Sequence, residues 1–327
     1  MPVVLTVLGV AVILMVLVDV FLTILSTSTA GPLTRAWSRP MWKTLLAIHR
    51  RTPIHRALSM TGPLMVVISI LVWYGLLVFG TWLIYVAHPG SVVNNTTRIA
   101  SDPGQVFYFV PTTLTGLGYG DLVPDGYPWT AIATTMALLG TFVLTLSLSY
   151  VISVVSAAIA RRAMASGVRA LGDNPVSVVR HAQLDDPVNS MQNYVASVAS
   201  LVSKAAESQR AYPVLRYFHS ARAATAAAPA VLLLADAAFL LRIQQAEHEP
   251  VRGITVVIES AVAEFIEAKT TRSPPASSTG ENSLRAYAVE LGIDVDPTSV
   301  FERQLNTYLP QRETLVAACA DDGWTVP

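Results

Sequence analysis

Three long apolar stretches constrain the fold of this chain more than any other feature. They run from Val3 to Ser26, from Leu64 to Ala87 and from Trp129 to Ala160. A helix needs about 20 apolar residues to cross the hydrocarbon core of a bilayer, and each stretch is long enough. The first lacks the charged leading region of a signal peptide and exceeds its usual apolar core of ~7–15 residues, which favours a retained helix over a cleaved leader. The sequence therefore predicts three transmembrane helices.

Charged side chains are scarce and unevenly distributed. They make up 13% of the 327 residues, with 22 basic and 22 acidic side chains, and only 11 of these 44 fall in residues 1–160. Soluble globular proteins carry about 25% charged residues, so this composition argues against an ordinary cytosolic enzyme. The lack of a basic excess argues against nucleic acid as a partner. With Cys319 as the only cysteine, no intrachain disulfide can form and thiol-rich metal sites are excluded.

Basic residues indicate which ends of the predicted helices face the cytoplasm. They are Arg35, Arg39, Lys43, Arg50, Arg51 and Arg56 after the first stretch, and Arg161, Arg162 and Arg169 after the third. By the positive-inside rule, both regions are cytoplasmic. We expect a multi-pass protein of the cell membrane with its amino terminus outside. Asp19 lies near the cytoplasmic end of the first helix, where we expect it to hydrogen-bond a neighbouring helix; a functional role is the alternative.

Four segments follow from this pattern. They are an N-terminal transmembrane helix (1–27), a basic cytoplasmic or interfacial segment (28–60), a two-helix membrane region (61–160) and a helical cytoplasmic domain (161–327). The basic segment also contains Trp37 and Trp42. This composition is typical of an interfacial helix whose bases, here Arg35, Arg39, Lys43, Arg50 and Arg51, attract anionic lipid. An ordinary cytoplasmic loop is the alternative.

The segment 101–124, between the second and third apolar stretches, is too short and too interrupted to span the bilayer. It must therefore enter and leave the membrane by the same face. Asp102 as N-cap, Pro103 at the first helical position and Gln105 at the third predict a short helix that ends near Thr115. The carboxyl end of this helix would point into the membrane, where its partial negative charge favours a cation.

After the predicted short helix, glycine alternates with larger residues in Gly116-Leu-Gly-Tyr-Gly-Asp121. Because glycine tolerates positive φ, such a strand can turn successive carbonyl groups to one side. Unpaired carbonyl groups are unfavourable in lipid unless several copies surround an axis and replace the water around a dehydrated cation. The sequence Thr113-Leu-Thr-Gly-Leu-Gly-Tyr-Gly-Asp121 resembles the selectivity filter of the potassium channel family. The resemblance covers about 64–160, a pore unit of bacterial type, with an extra helix before it.

The resemblance implies an all-α membrane protein with three transmembrane helices, a re-entrant pore helix, a filter loop and a helical cytoplasmic domain. It implies a homotetramer that conducts K⁺ passively and needs no other cofactor. Carbonyl groups of Leu117, Gly118 and Tyr119 would bind the ion. The implied site residues are Tyr108, Phe109 and Thr115 as filter support, Gly116, Leu117, Gly118, Tyr119 and Gly120 as the filter, and Asp121 at the outer mouth. For Tyr108 and Phe109, plain lipid or core packing is the alternative.

The third helix carries the residues that the resemblance assigns to gating. Gly140 occupies the position of a hinge glycine, with close helix packing as the alternative. Residues at helical spacing after it would line an inner cavity that closes by dewetting. They are Thr141, Leu144, Leu148, Ile152 and Ser156.

Two residues depart from the family pattern. Gly116 stands where the family usually has the filter threonine, so the hydroxyl group that completes the innermost ion site is missing. We expect a potassium-preferring pore with low occupancy at that site. Pro111 lies inside the predicted pore helix and removes one backbone hydrogen bond, so a kink or an early end is expected there.

The cytoplasmic half keeps a helical pattern. An apolar stripe of Val188, Met191, Val195, Val198, Val202 and Ala205 predicts a core-facing helix. Further helices are predicted over Ala230–His248, Ile254–Lys269 and Pro297–Tyr308, and an exposed linker over Thr270–Ser283. A nucleotide-binding or β-rich regulatory domain does not fit, and neither a catalytic constellation nor metal-ligand spacing among the six histidines was found. The alternative to a channel is a membrane-anchored sensor or interaction protein with a degenerate pore. The ligand of the cytoplasmic domain is unknown.

Overall fold

The computed structural model is built almost entirely from helices, as predicted for the all-α class. It describes residues 1–26, 29–52, 55–182, 190–245, 252–269 and 278–325. The helices are α1 (Pro2–Ile24), α2 (Pro32–Arg51), α3 (His55–Val86), α4 (Pro103–Leu114), α5 (Trp129–Leu171), α6 (Pro175–Ala182), α7 (Ser190–Ala211), α8 (Ala227–Gln245), α9 (Arg252–Ala268), α10 (Ser278–Glu290) and α11 (Val300–Asp321). Strands β1 (Val92–Asn94) and β2 (Leu122–Pro124) pair antiparallel.

The chain divides into two compact units. Unit 1 comprises Met1–Met41 and Pro63–Val154, and unit 2 comprises Trp42–Gly62 and Val155–Pro327. The predicted segment 28–60 is therefore shared between the two units.

Helices α1, α3 and α5 correspond to the three predicted transmembrane helices, and each is long and apolar enough to cross a membrane. A fourth helix, α8, meets the same criteria of length and composition. Its apolar window is 83% buried inside the protein, against 28–39% for the other three. A helix that is apolar all round and covered by other helices is typical of a protein core, so α8 is the central helix of unit 2.

Two glycines bring α1 against α3 in unit 1. A β-carbon on Gly9 would lie 2.5 Å from the carbonyl oxygen of Gly80, and one on Gly80 would lie 2.9 Å from that of Gly9. Small residues let membrane helices approach closely and gain packing contacts. The extra N-terminal helix is thus part of the packed membrane unit.

Asp19 has the structural role expected from its sequence position. Its carboxylate is fully buried and accepts hydrogen bonds from the backbone amides of Leu33 (2.7 Å) and Thr34 (3.2 Å) in the first turn of α2. It also accepts from the Thr34 hydroxyl (2.6 Å) and from the indole Nε1 of Trp73 on α3 (2.8 Å). A negative charge at a helix N-terminus satisfies free amide groups and the helix dipole. Asp19 therefore joins α1 to both α2 and α3.

The basic segment forms the helix α2 rather than a loop. Arg39, Lys43, Arg50 and Arg51 are exposed on it. Trp42, which the sequence suggested for the membrane interface, is instead buried in unit 2, with its ring 5.6 Å from that of Tyr217. Attraction of the bases to anionic lipid stays a prediction.

Unit 2 is a helical domain built around α8. Helices α6, α9 and α11 pack against it, α7 packs on α9, and Phe239, Phe265 and Phe301 lie in the core. The core also holds a charged pair, since the Asp236 carboxylate on α8 accepts from Nε of Arg312 (3.0 Å) and also from the Tyr308 hydroxyl (2.6 Å). In the predicted apolar stripe, Val195, Val198, Val202 and Ala205 are buried, as expected. The side chains of Val188 and Met191 lie outside the described residues.

Some sequence boundaries in unit 2 were wrong. The predicted linker 270–283 is helical in its second part, because α10 begins at Ser278; residues 270–277 lie outside the described part of the chain. The last helix begins at Val300, where Ser299 caps it, and continues to Asp321. Pro310 lies within this helix, which continues beyond the predicted end at Tyr308.

Candidate ion-conduction site

The short helix α4 starts as its sequence dictates. The Asp102 carboxylate accepts from the amides of Gly104 (2.8 Å) and Gln105 (2.9 Å), and the Gln105 side chain accepts from the Asp102 amide (3.0 Å). This reciprocal capping box satisfies free amides at the helix start. The indole of Trp82 on α3 donates to the Pro103 carbonyl group (3.0 Å) and fixes the position of this end.

One face of α4 is buried in unit 1. It carries Val106, Phe109, Val110 and Leu114, and the Phe109 ring packs edge-on against Tyr85, 5.5 Å between centroids. Of the kink or early end expected at Pro111, the early end does not occur, since the helix continues to Leu114, close to the predicted end at Thr115. The kink stays a prediction. Packing of this buried face holds the last turn in place although Pro111 has no amide to donate.

The loop after α4 shows the predicted alternation of backbone conformation. Gly116, Gly118 and Gly120 have φ values of +73°, +48° and +79°. Only glycine adopts this region at no steric cost, and the residues between them, Leu117 and Tyr119, are in ordinary conformations. The loop is therefore of the type that can turn its carbonyl groups to one side.

Both ends of this loop are anchored to neighbouring backbone. The amides of Gly116 and Gly118 donate to the carbonyl groups of Thr113 (3.0 Å) and Thr112 (3.1 Å) in the last turn of α4. At the far end, the Asp121 carbonyl group accepts from Asn95, and pairing of β2 with β1 follows immediately. Within the described part of the chain, no backbone amide donates to the carbonyl groups of residues 117–119. These groups are available as ligands.

In a single chain, the side chains of the loop are exposed. Leu117 is 58% exposed and Tyr119 is 68% exposed. Tyr119 stacks on Tyr108, with 6.3 Å between centroids and 7° between the ring planes, and Tyr108 also interacts with the Asp121 carboxylate. The structure thus brings Tyr108 and Asp121 to the loop and places Phe109 in the core.

The predicted support residue Thr115 directs its hydroxyl group back along the helix. It donates to the Pro111 carbonyl group (2.8 Å), and Thr112 and Thr113 each donate to that of Phe109 (2.8 and 2.9 Å). These threonines bond carbonyl groups near the carboxyl end of α4.

Gly140 lies where α5 crosses the end of α4. A β-carbon on Gly140 would overlap the carbonyl oxygen of Leu114, and its own carbonyl group accepts from the Tyr74 hydroxyl (2.6 Å). Close packing, the alternative to a hinge, therefore accounts for this glycine in the structure. The hinge role stays a prediction, as α5 runs through Gly140 without a break.

The predicted cavity residues on α5 share one exposed face. Leu144, Leu148 and Ile152 are 50%, 62% and 60% exposed, and Thr141 and Ser156 are exposed as well. The opposite side, with Val143, Ser147 and Val154, is buried. On a helix that is able to cross a membrane, an exposed apolar face of this kind is compatible with lipid, a partner chain or a cavity.

Sequence reasoning missed two features of this site. The Tyr74–Gly140 hydrogen bond and the β1–β2 pairing both join segments that are far apart in sequence. The only local signals for the strands were the short Val92–Asn94 and Leu122–Pro124 runs, each with β-branched residues.

Comparison with known proteins agrees with the position of the site. Residues 65–157 match the family model described as "Ion channel". The chain is also 25% identical over 291 residues to the "Uncharacterized membrane protein YdjJ" of Bacillus subtilis (strain 168), which covers 88% of this chain and 85% of that protein. No solved structure gives a significant match. The family match supports an ion channel, and the relative supports a membrane location.

Proposed function

We propose that the chain is the subunit of a potassium-selective channel, in which four copies surround one pore. The observation that carries this proposal is the alternation of positive φ at Gly116, Gly118 and Gly120, directly after the capped helix α4. The loop lies within the region that matches the ion-channel family.

Carbonyl oxygens suit K⁺ because they can replace its water shell without the stronger field of a carboxylate. No backbone amide of the described residues donates to the carbonyl groups of Leu117, Gly118 and Tyr119, and these groups would supply three layers of such ligands per chain. The carboxyl end of α4 adds a partial negative charge below them. Asp121 adds a negative charge at the outer mouth.

Exposure supports an assembly of several copies. One chain supplies one filter strand, and both the loop and the Leu144–Leu148–Ile152 face of α5 are uncovered in it. Four strands around an axis would complete the ion cage, with the α5 faces lining the cavity beneath. In this arrangement Leu148 and Ile152 form the apolar constriction.

Gly116 modifies the expected filter. The family's innermost threonine hydroxyl is missing there, and the Thr115 hydroxyl is bonded to the Pro111 carbonyl group. We propose low occupancy of the innermost site and a looser preference for K⁺ over Na⁺. The same proposal places the amino terminus outside the cell, unit 2 in the cytoplasm, and the bases of α2 near anionic lipid.

Ion flux through the purified protein in liposomes tests the function. We expect K⁺ flux that exceeds Na⁺ flux and that Ba²⁺ blocks, since this divalent ion matches K⁺ in size. Tetramers that carry no flux would overturn the proposal and favour a membrane-anchored sensor. Equal K⁺ and Na⁺ fluxes would overturn the selectivity.

A further inference from the structure

Three histidines from distant parts of the sequence meet in unit 2. His49 lies near the end of α2, His55 begins α3, and His219 follows the 3-10 helix Pro213–Tyr217. Their ring centroids lie 4.5 Å (His49 to His55), 5.2 Å (His55 to His219) and 5.6 Å (His49 to His219) apart. We call these residues the histidine cluster. Sequence spacing gave no signal for it, since 164 residues separate His55 from His219.

Hydrogen bonds fix the protons on two of these rings. Nδ1 of His219 lies 2.7 Å from the carbonyl oxygen of Asp322. Because a carbonyl oxygen can only accept, Nδ1 carries the proton, and Nε2 of neutral His219 is an acceptor. That Nε2 lies 2.9 Å from Nδ1 of His55, which must donate. The bonded pair therefore excludes a proton on Nε2 of His219.

The same cluster holds the carboxyl-terminal end of the described chain. The Trp324 indole stacks on His55 (4.5 Å, 17°) and on His219 (5.4 Å, 17°). Nε2 of His49 lies 3.3 Å from the Gly323 carbonyl oxygen. Residues 322–324 thus contact all three rings.

The charges around the cluster are predominantly positive. Asp322 pairs with Arg161 on α5 (2.8 Å) and with Lys269 after α9 (2.9 Å), and both basic side chains are more than 90% buried. One carboxylate between two cations leaves an excess positive charge beside His219. Among the described residues, the other titratable or charged groups nearby are Asp321, which interacts with Arg50, Arg216 and Lys269, and buried Cys319. Arg56 follows His55 in the chain, and Arg162 lines a small cavity together with His219 and Trp324.

Burial and mutual repulsion oppose protonation of the rings. Burial lowers the pKa of His219, and His55 and His49 lower it further, although the Asp322 carbonyl group partly offsets this. Burial and then His49 lower the pKa of His55. For Asp322, burial alone would raise the pKa, but Lys269 and Arg161 outweigh it and hold it below its usual value. Asp322 therefore stays charged while the histidines titrate.

We propose that the histidine cluster and Trp324 form a proton-sensitive clasp, which holds residues 322–324 on α2 and α3 at neutral pH and releases them in acid. One proton can be accepted on Nε2 of His55 without loss of the His55–His219 bond. A second proton, on Nε2 of His219, places an N–H group on each side of the His55–His219 bond and a positive charge on each ring, so the bond is lost. Release therefore takes up more than one proton.

The sign of the pH dependence follows from the lowered pKa values. The histidines have a lowered pKa in the closed clasp and regain the ordinary pKa of 6.5 on release. Their contribution to the stability of the closed clasp is therefore fully present above pH 6.5. This stabilisation is lost as the pH falls below 6.5 and through the lowered values. We assign protons rather than a metal ion as the signal. Among the described residues, no group of three His, Cys, Asp or Glu side chains is able to hold a metal ion.

The clasp is placed to influence ion conduction, an extension that rests on the proposed function. Helix α3, which carries His55, and helix α5, which carries the Asp322 partner Arg161, both continue along the chain into residues of unit 1. We therefore expect channel flux to change over the same pH range as the clasp.

Fluorine NMR of the full-length protein in detergent tests the clasp without any flux measurement. The chain has six tryptophans, so 5-fluorotryptophan labelling gives six signals, and W324F assigns that of Trp324. We expect the Trp324 signal to shift between pH 8 and pH 5, more steeply than a one-proton curve. A Trp324 signal that does not move in this range would overturn the proposal.

Variants identify the groups that titrate. The double variant H55Q/H219Q cannot titrate at these sites, and its Trp324 signal should not change with pH. H181Q is the matched control, because His181 also lies in unit 2 with Nδ1 near a carbonyl oxygen, that of Leu171 (2.8 Å). It should titrate as the unmodified protein does, and the other five signals report whether each variant is folded. An unchanged transition in H55Q/H219Q would overturn the assignment.

Flux in liposomes separates the clasp from the channel. If Trp324 titrates while no variant conducts at any pH, the clasp stands and the proposed function fails. If flux is present but independent of pH while Trp324 titrates, the link to conduction is overturned. Flux that changes with pH in the unmodified protein and not in H55Q/H219Q supports both the clasp and the proposed channel function.

Discussion

The backbones of Gly140 on α5 and Leu114 at the end of α4 are in direct contact. A β-carbon on Gly140 would overlap the Leu114 carbonyl oxygen and lie 2.8 Å from its carbonyl carbon. The last turn of the short helix, and with it the start of the Gly116–Gly120 loop, therefore rests on a residue of α5 that has no side chain. This contact connects the helix that lines the proposed cavity to the base of the proposed filter.

Substitution of Gly140 by alanine tests this contact. We expect G140A to lower the free energy of unfolding by about 1–3 kcal/mol through overpacking and to reduce K⁺ flux. Thermal unfolding in detergent and liposome flux measure the two effects. G75A is the control, because Gly75 lies within α3 with nothing within 4 Å of its β-carbon position. A G140A protein as stable and active as G75A would contradict the packing role.

The backbone of the filter loop is tested at Gly118. A β-carbon there has no neighbour within 4 Å, so G118A adds only the strain of φ +48°, about 1–2 kcal/mol. We expect G118A to abolish K⁺ flux with little loss of thermal stability. Gly90 has φ +87° and equally open space, but lies between α3 and β1. G90A should bear similar strain and still conduct, whereas loss of flux in both variants would count against a specific role of residue 118.

The buried carboxylate of Asp19 is tested by D19N. Whichever way the asparagine amide turns, its NH₂ group faces an N–H donor, either the backbone of α2 or the Trp73 indole. One buried donor left unpaired costs about 1–3 kcal/mol, so we expect a clear loss of thermal stability. D102N is the control, because asparagine caps a helix as well as aspartate does. Equal stability of the two variants would show that the Asp19 charge is dispensable.

The charged pair in the core of unit 2 is tested by D236N. This variant leaves Arg312 buried without a counter-charge, and a broken buried pair costs about 3–5 kcal/mol. The partly exposed Arg242–Glu259 pair provides the control, and E259Q should change stability by less than about 1 kcal/mol. Thermal unfolding monitored by circular dichroism measures both. Equal losses of thermal stability in D236N and E259Q would contradict the claim that burial makes the Asp236–Arg312 pair the more important of the two.

Local features of the fold were predictable from the sequence. The three apolar stretches gave α1, α3 and α5, and the Asp102-Pro103-Gln105 pattern gave the start of α4, because these signals lie in neighbouring residues. Alternating glycines predicted the φ pattern of the loop for the same reason.

Contacts between distant segments were not predictable. The Asp19 carboxylate bonds residues 14, 15 and 54 positions away, and the histidine cluster joins three elements of unit 2. The early end expected at Pro111 does not occur, and the end predicted for the last helix at Tyr308 was wrong. Pro111 and Pro310 both lie inside helices whose other face is held by burial, a tertiary effect that local rules do not include.

A cryo-electron microscopy map of the full-length protein in KCl tests the central claim most directly. The account predicts four chains around one axis, with ion density between the carbonyl groups of Leu117, Gly118 and Tyr119 and weaker density at the level of Gly116. A map in which the four loops lie away from a common axis, or enclose no ion density, would contradict it.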